Sequence, residues 1–166
     1  MGTLYLGEPR YNFVVKNWDV IILGGGIIGL TLAIELRKEN LRILVVERGE
    51  PGREASYAAA GMLADSEIED VSPLKALAAA SARIYPEFVH ELEDESGINC
   101  DLRDHGTLKF SSGLHHGLTA EEIGELESAL ALSFPVKFIQ ERSVDPRGLT
   151  SAALKAAKHR GIDISS

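Results

Sequence analysis

Residues 19–47 read DVIILGGGIIGLTLAIELRKENLRILVVE, and the order of residue types in that stretch decides the fold. Asp19-Val20-Ile21-Ile22-Leu23 is a short, β-branched apolar run of the kind buried on both faces of a parallel sheet. The turn Gly24-Gly25-Gly26-Ile27-Ile28-Gly29 leads into LTLAIELRKEN, in which Leu30, Ala33 and Ile34 recur at helical spacing and Arg37, Lys38 and Asn40 stand at the end. A second apolar run, Ile43 to Val46, stops at Glu47. The spacing therefore predicts strand, glycine turn, helix and strand, the opening of an α/β fold with a parallel sheet.

Each glycine has a separate task in such a turn. Gly24 permits the sharp exit from the strand, Gly26 lets a diphosphate approach the backbone, and Gly29 lets helix and strand pack closely. A diphosphate would sit at the helix N-terminus, where unpaired N–H groups and the positive end of the dipole favour an anion. Glu47, at the tip of the second strand and 23 residues after Gly24, is placed to accept hydrogen bonds from ribose hydroxyls. Its charge would repel a 2′-phosphate, which favours FAD or NAD over NADP.

Composition bounds what this motif can mean. The chain has 166 residues, long enough for one domain with a sizeable core. At 45% hydrophobic and 25% charged it is ordinary for a globular protein. A net charge of −8 and a pI near 5.1 argue against a nucleic-acid partner. No apolar run approaches the ~20 residues of a membrane span, and residues 1–18 lack the pattern of a secretion signal, so a cytoplasmic location is expected. The single Cys100 fits a reducing compartment and reads as a small structural residue.

The stretch GREASYAAAGMLADSE, residues 52–67, separates the two dinucleotides. An NAD-binding domain would continue into another helix and strand, whereas here the chain enters a tract of alanine and glycine. A helical turn that happens to be alanine-rich is the plain reading. The alternative is clearance: a flavin ring is a broad plane, and backbone lies against it only where side chains are small, as at Ala58, Ala59, Ala60 and Gly61. Free N–H groups there could steady a reduced ring.

With DVIILGGGIIGLTLAIELRKENLRILVVERGE followed by REASYAAAGMLA, the sequence resembles the FAD-dependent D-amino acid oxidase superfamily, and most of all its glycine oxidase branch. YPEFVHELEDESGINCDLRDHGTLKFS resembles the entry to that branch's substrate domain, and VDPRGLTSAALKAAKHRGIDIS the return to its FAD domain, so the likeness spans residues 17–166. The resemblance implies a Rossmann-like FAD-binding domain plus the first part of a mixed α+β substrate domain, incomplete. Residues 1–16 would be an N-terminal extension, 17–96 the first FAD-binding segment, 97–143 the first substrate-domain segment and 144–166 the return. It implies FAD contacts from Gly24, Gly26, Ile27, Ile28 and Gly29 to the pyrophosphate, and from Glu47 and Arg48 to the ribose. Ala55 and Ser56 would lie along the pyrophosphate and ribityl chain, with Ala60, Gly61 and Met62 beside the ring. Tyr57 replaces the smaller residue often found at its position; its ring would point away from the cofactor or narrow the site. For Met62 and Leu63 core packing is an equal alternative.

The activity implied is oxidation of an amine or small amino acid (glycine, or a D- or N-methyl amino acid) to the imine, with hydride passing to flavin N5 and oxygen as acceptor. A quinone-dependent dehydrogenase of the same family, or a non-catalytic nucleotide-binding or interaction module, are the alternatives. Family members have chains about twice as long, so a missing C-terminal half or a completing chain is expected, as is a homo-oligomer. Residues 1–166 alone are expected to be inactive and not a stable monomer, and the groups that hold the substrate are not assigned here.

Other features have plain readings. Glu67, Glu69 and Asp70 read as a solvated acidic loop, and His115-His116 is a weak metal candidate without a further ligand at useful spacing. His105 reads as a strand-edge residue, although it could approach a substrate cavity. Leu74 to Leu92 is helical, with Pro86 expected to kink or interrupt it. Thr119 and Glu122 form a capping box for a helix through Leu130, Val136 to Ile139 is a short strand, and Asp145-Pro146 opens the last helix. A third parallel strand starts near Ile162.

Overall fold

The computed structural model describes residues 16–64, 72–110, 118–129 and 136–166. The acidic cluster Glu67, Glu69 and Asp70 and the pair His115-His116 lie outside the described residues, as does nearly all of the N-terminal extension. In chain order the elements are β1 (Val20–Leu23), α1 (Ile27–Lys38), β2 (Ile43–Val46), β3 (Met62–Leu63), α2 (Leu74–Ser96), β4 (Thr107–Phe110), α3 (Ala120–Leu126), β5 (Val136–Ile139), β6 (Arg142–Ser143), α4 (Pro146–His159) and β7 (Asp163–Ser165).

Three of the strands form one parallel sheet in the order β1-β2-β7. Ile22, Ile43 and Val45 point from the sheet into a single core shared with Leu30, Ala33 and Ile34 of α1, Val89 and Leu92 of α2, and Ala152, Ala153, Ala156 and Ala157 of α4. Each of the large aliphatic side chains in that set contributes about 1.5–3 kcal/mol by leaving water. The four buried alanines make α4 thin on its inner face, so it packs closely against both α1 and α2. Burial on both faces of β1 was the expectation. Among the described residues only one face is covered, and Ile21 and Leu23 on the other are 58% and 83% exposed. The reason is that α1, α2 and α4 all share the core on the Ile22 side.

Two antiparallel pairs lie apart from this sheet. β4 pairs with β5, and β3 pairs with β6 so that Met62 meets Ser143 and Leu63 meets Arg142. Asp145 caps α4 by accepting from the amides of Arg147 (3.0 Å) and Gly148 (3.0 Å), and Pro146 follows where no backbone donor is needed. The capping box at Thr119 and Glu122 is formed in both directions. However, α3 stops at Leu126, short of the expected end. Glu127 is extended and its carboxylate accepts the amide of Ala129 at 3.1 Å, which diverts that donor from a helical partner.

Proline 86 does not interrupt α2, which runs through it to Ser96 and ends at Gly97 in the left-handed conformation. A proline removes the hydrogen bond to the carbonyl four residues earlier, which here is that of Ala82. That oxygen accepts instead from the Arg142 guanidinium Nη1 at 3.2 Å, and Arg142 also pairs with Asp104 at 3.3 Å. A side chain from β6 thus replaces the missing backbone donor. At the other end of α2, Arg160 donates to Glu95 (2.9 Å) and Glu91 (2.6 Å), and its own carbonyl accepts from Arg37 of α1 (2.9 Å). The network joins three helices around a guanidinium that is only 13% exposed.

Cys100 is fully buried beside Ile98, and burial raises its thiol pKa to about 11, with the nearby Glu93 and Asp145 adding to the shift. Two predictions follow from this packing. Native protein at pH 8 should resist alkylation by iodoacetamide over hours and react fully in denaturant, because the thiolate is scarce and sealed; mass spectrometry reads the outcome. Arg142→Met should cost about 1 kcal/mol by orphaning the Ala82 carbonyl, and thermal melts should show a smaller cost in a Pro86→Ala background, where residue 86 regains its amide.

Candidate functional site

The turn between β1 and α1 is built by two steric constraints. Gly24 has φ +108°, a conformation closed to most side chains, and its amide donates to the carbonyl of Val46 at 2.8 Å, so the chain leaves β1 while still tied to β2. At position 29 any Cβ would overlap the carbonyl group of Gly24, which fixes how near α1 lies to the strand. Gly26 is the N-cap of α1 and carries no side-chain acceptor. The first amides of α1, those of Ile27, Ile28 and Gly29, therefore have no carbonyl one turn back. Ser56 supplies one acceptor: its Oγ takes the amide of Ile27 at 3.0 Å.

Glu47 organises the other side of the turn. Its Oε2 accepts the amide of Gly25 at 2.7 Å, and its Oε1 accepts those of Arg48 at 2.8 Å and Gly49 at 3.2 Å. The Gly25 amide first, then those of Gly49 and Arg48, hold the carboxyl below its ordinary pKa despite some desolvation, so it is an anion at neutral pH. The arrangement leaves a charged acceptor at the tip of β2 directly beside the glycine turn. Arg48 points outward, 83% exposed, and pairs with Glu54 at 3.3 Å.

The alanine tract begins with one helical turn, in which the amides of Tyr57 and Ala58 donate to the carbonyl of Glu54. Ala55, Ala58, Ala59 and Ala60 are exposed and present backbone with little cover. Gly61, at φ +77°, gives its carbonyl to the amide of Val144, and a Cβ there would overlap the Val144 carbonyl. Met62 is 56% exposed on β3, so core packing is not its environment, whereas Leu63 packs against the core.

Of the expected site residues, hydrogen bonds join the glycine turn, Glu47 and Ser56 into one patch. Ile27 is half-buried there and Ile28 is 81% exposed at its rim. Gly61 and Met62 are anchored instead to residues 144 and 143, with Ala60 exposed just before them. Sequence reasoning missed Val144 and the direct bond between Gly25 and Glu47; the first lies more than 80 residues away in sequence, with no local signal. His105 is exposed ahead of β4. The patch fits a dinucleotide chemically: helical amides for a diphosphate, an ionised acceptor for hydroxyls, and small side chains beyond.

Comparison with known proteins agrees with this reading. A family model described as FAD dependent oxidoreductase matches residues 19–165. The glycine oxidase of Geobacillus kaustophilus is 40% identical over 114 residues, covering 68% of this chain and 29% of that protein. The glycine oxidase of Bacillus subtilis is 32% identical over 168 residues, covering 90% of this chain and 45% of that protein. The crystal structure of the Geobacillus kaustophilus glycine oxidase superposes with a TM-score of 0.80 at 32% identity, over 90% of this chain and 46% of that one. The chain spans less than half the length of these relatives. With its Rossmann-like parallel sheet, glycine turn and terminal acid, the chain belongs to the DAO family of FAD dependent oxidoreductases, whose cofactor is FAD.

Proposed function

We propose that this chain is the FAD-binding part of an oxidase acting on glycine or another small amine or amino acid. The observation that carries the reading is the single patch made by the amides of α1, the Glu47 carboxylate and the Ser56 hydroxyl. In this reading Gly24, Gly26, Ile27, Ile28 and Gly29 receive the pyrophosphate of FAD on the helix N-terminus. Glu47 and Arg48 hold the adenosine ribose, Glu47 already being ionised and oriented by Gly25, Arg48 and Gly49. Ala55 and Ser56 lie along the diphosphate and ribityl chain, and Ala60, Gly61 and Met62 border the ring. The exposure of the alanines supports that last assignment, since a plane can approach them without meeting bulk.

FAD bound at these residues would supply the two-electron acceptor for oxidation of an amine to an imine, with the amine's N–H proton lost to solvent and oxygen as terminal oxidant, reduced to hydrogen peroxide. This chain's residues bind and orient; the substrate-holding groups are not assigned to any of them. The division into residues 17–96 with 144–166 as FAD-binding segments, and 97–143 as the start of a substrate domain, is part of the proposal. It is supported by β7 joining β2 while β4 and β5 pair separately. Among the described residues no helix is long and apolar enough to cross a membrane.

Two outcomes test this function. The whole protein should purify yellow, and its flavin absorbance should bleach anaerobically on adding glycine; a colourless protein unchanged by FAD would overturn the assignment. Glu47→Gln should weaken FAD binding about tenfold, the usual worth of a charge-assisted bond. The sign with pH follows from the lowered carboxyl pKa. Affinity should be flat from pH 8 to 5, fall only on acidification below the ordinary carboxylate value of about 4.3, and lose that dependence in Glu47→Gln; fluorescence titration reads both.

A further inference from the structure

Tyr57 stands between Ser56 and Ala58, in the middle of a tract whose other side chains between 55 and 61 are small. Its neighbour Ser56 turns to the N-terminus of α1. The ring of Tyr57 is directed elsewhere, to the start of α4: the guanidinium carbon of Arg53 lies 4.6 Å from the ring centroid and that of Arg147 lies 4.9 Å from it. Both distances are within the range of cation–π attraction. Adjacent residues of the tract thus engage the N-terminal ends of two different helices.

The position of Arg147 needs an explanation, because a cation in the first turn of a helix is opposed by the positive end of the dipole. Asp145, at the N-cap, offsets part of that charge. Arg53 is likewise neutralised by Glu50 at 2.8 Å, which leaves both guanidinium planes able to lie on one ring despite their like charge. Tyr57 adds to the other contacts of the tract, which include the Ser56 bond to Ile27 and the Gly61 bond to Val144. The tract's ends are fixed by close backbone approach, Gly52 against Thr150 and Gly61 against Val144, but the alanines between them are exposed.

We propose that Tyr57 is a positioning residue for FAD: clasped by Arg53 and Arg147, it pins the alanine tract to α4 and so holds Ser56 and the exposed backbone of residues 58–61 in register with the glycine turn. The inference rests on the function proposed above and adds a residue that does not itself touch the cofactor. A tract tethered only at Gly52 and Gly61 would sample positions in which Ser56 leaves α1, and FAD would pay for reordering it. The bond between Ser56 and Ile27 is then the reporter of Tyr57's position.

The test uses the whole protein and FAD itself, with affinity and dissociation rate read by flavin fluorescence and the ring environment by visible circular dichroism. Tyr57→Phe keeps the π-face and loses only the hydroxyl's weak contact with Arg53, so its FAD affinity should stay within about twofold of the unsubstituted protein. Tyr57→Leu, which keeps bulk but no π-face, should weaken FAD about five- to tenfold, mainly through faster release, and alter the dichroism. Arg147→Met, at an exposed position, should do the same to a lesser degree and carries the test if Tyr57→Leu does not fold. The double variant should be little worse than Tyr57→Leu alone, because both remove one contact. Unchanged affinity in Tyr57→Leu and Arg147→Met, or fully additive losses, would overturn the positioning role while leaving the flavoprotein reading intact. Failure of the unsubstituted protein to bind FAD would overturn both.

Discussion

The turn, the core and the site all depend on how closely α1 approaches the end of β1, and that approach is set by a missing methyl group. With glycine at 29 the helix backbone rests against the carbonyl of Gly24; with any other residue it must withdraw. Withdrawal would lift Ile27 from Ser56 and tilt Leu30, Ala33 and Ile34 off the sheet. The same contact therefore governs a hydrophobic interface on the inside and the placement of the first amides of α1 on the outside. Core and site share one geometrical constraint, which is why the turn cannot be altered for one without the other.

Electrostatics act on a frame already fixed by packing. Glu47 is oriented by three backbone amides, one of them from the glycine turn itself, so the charge at the tip of β2 is held where the turn needs it. The side chain of Arg48, unlike its amide, is solvated and weakly paired, and contributes little to that frame. The contrast shows that neighbouring charges in sequence can differ completely in what constrains them.

The local elements were legible in the sequence because their causes are local. Strand, glycine turn and helix over residues 20–38, the capping box at Thr119 and the Asp145-Pro146 start all depend on residues within one turn of each other. Glu47 could be picked out by its distance from Gly24 alone. What escaped sequence reasoning depended on distant partners. Pro86 reads as a break unless Arg142 is known to stand beside Ala82, and Tyr57 reads as an intrusion unless Arg147 is known to face it. The covered side of β1 was likewise set by where three helices converge, which no periodicity in a four-residue strand can specify.

The pairing of β2 with β7 has a consequence for biosynthesis. Leu44 meets Asp163 across roughly 120 residues of intervening chain, so the early βαβ-like segment leaves the ribosome with one strand edge open and must wait for residues 163–165 before that edge is sealed. During translation the nascent segment is thus exposed to wrong partners for the time taken to make the residues between β2 and β7, and a chaperone that shields strand edges should matter more for its yield than for its final stability.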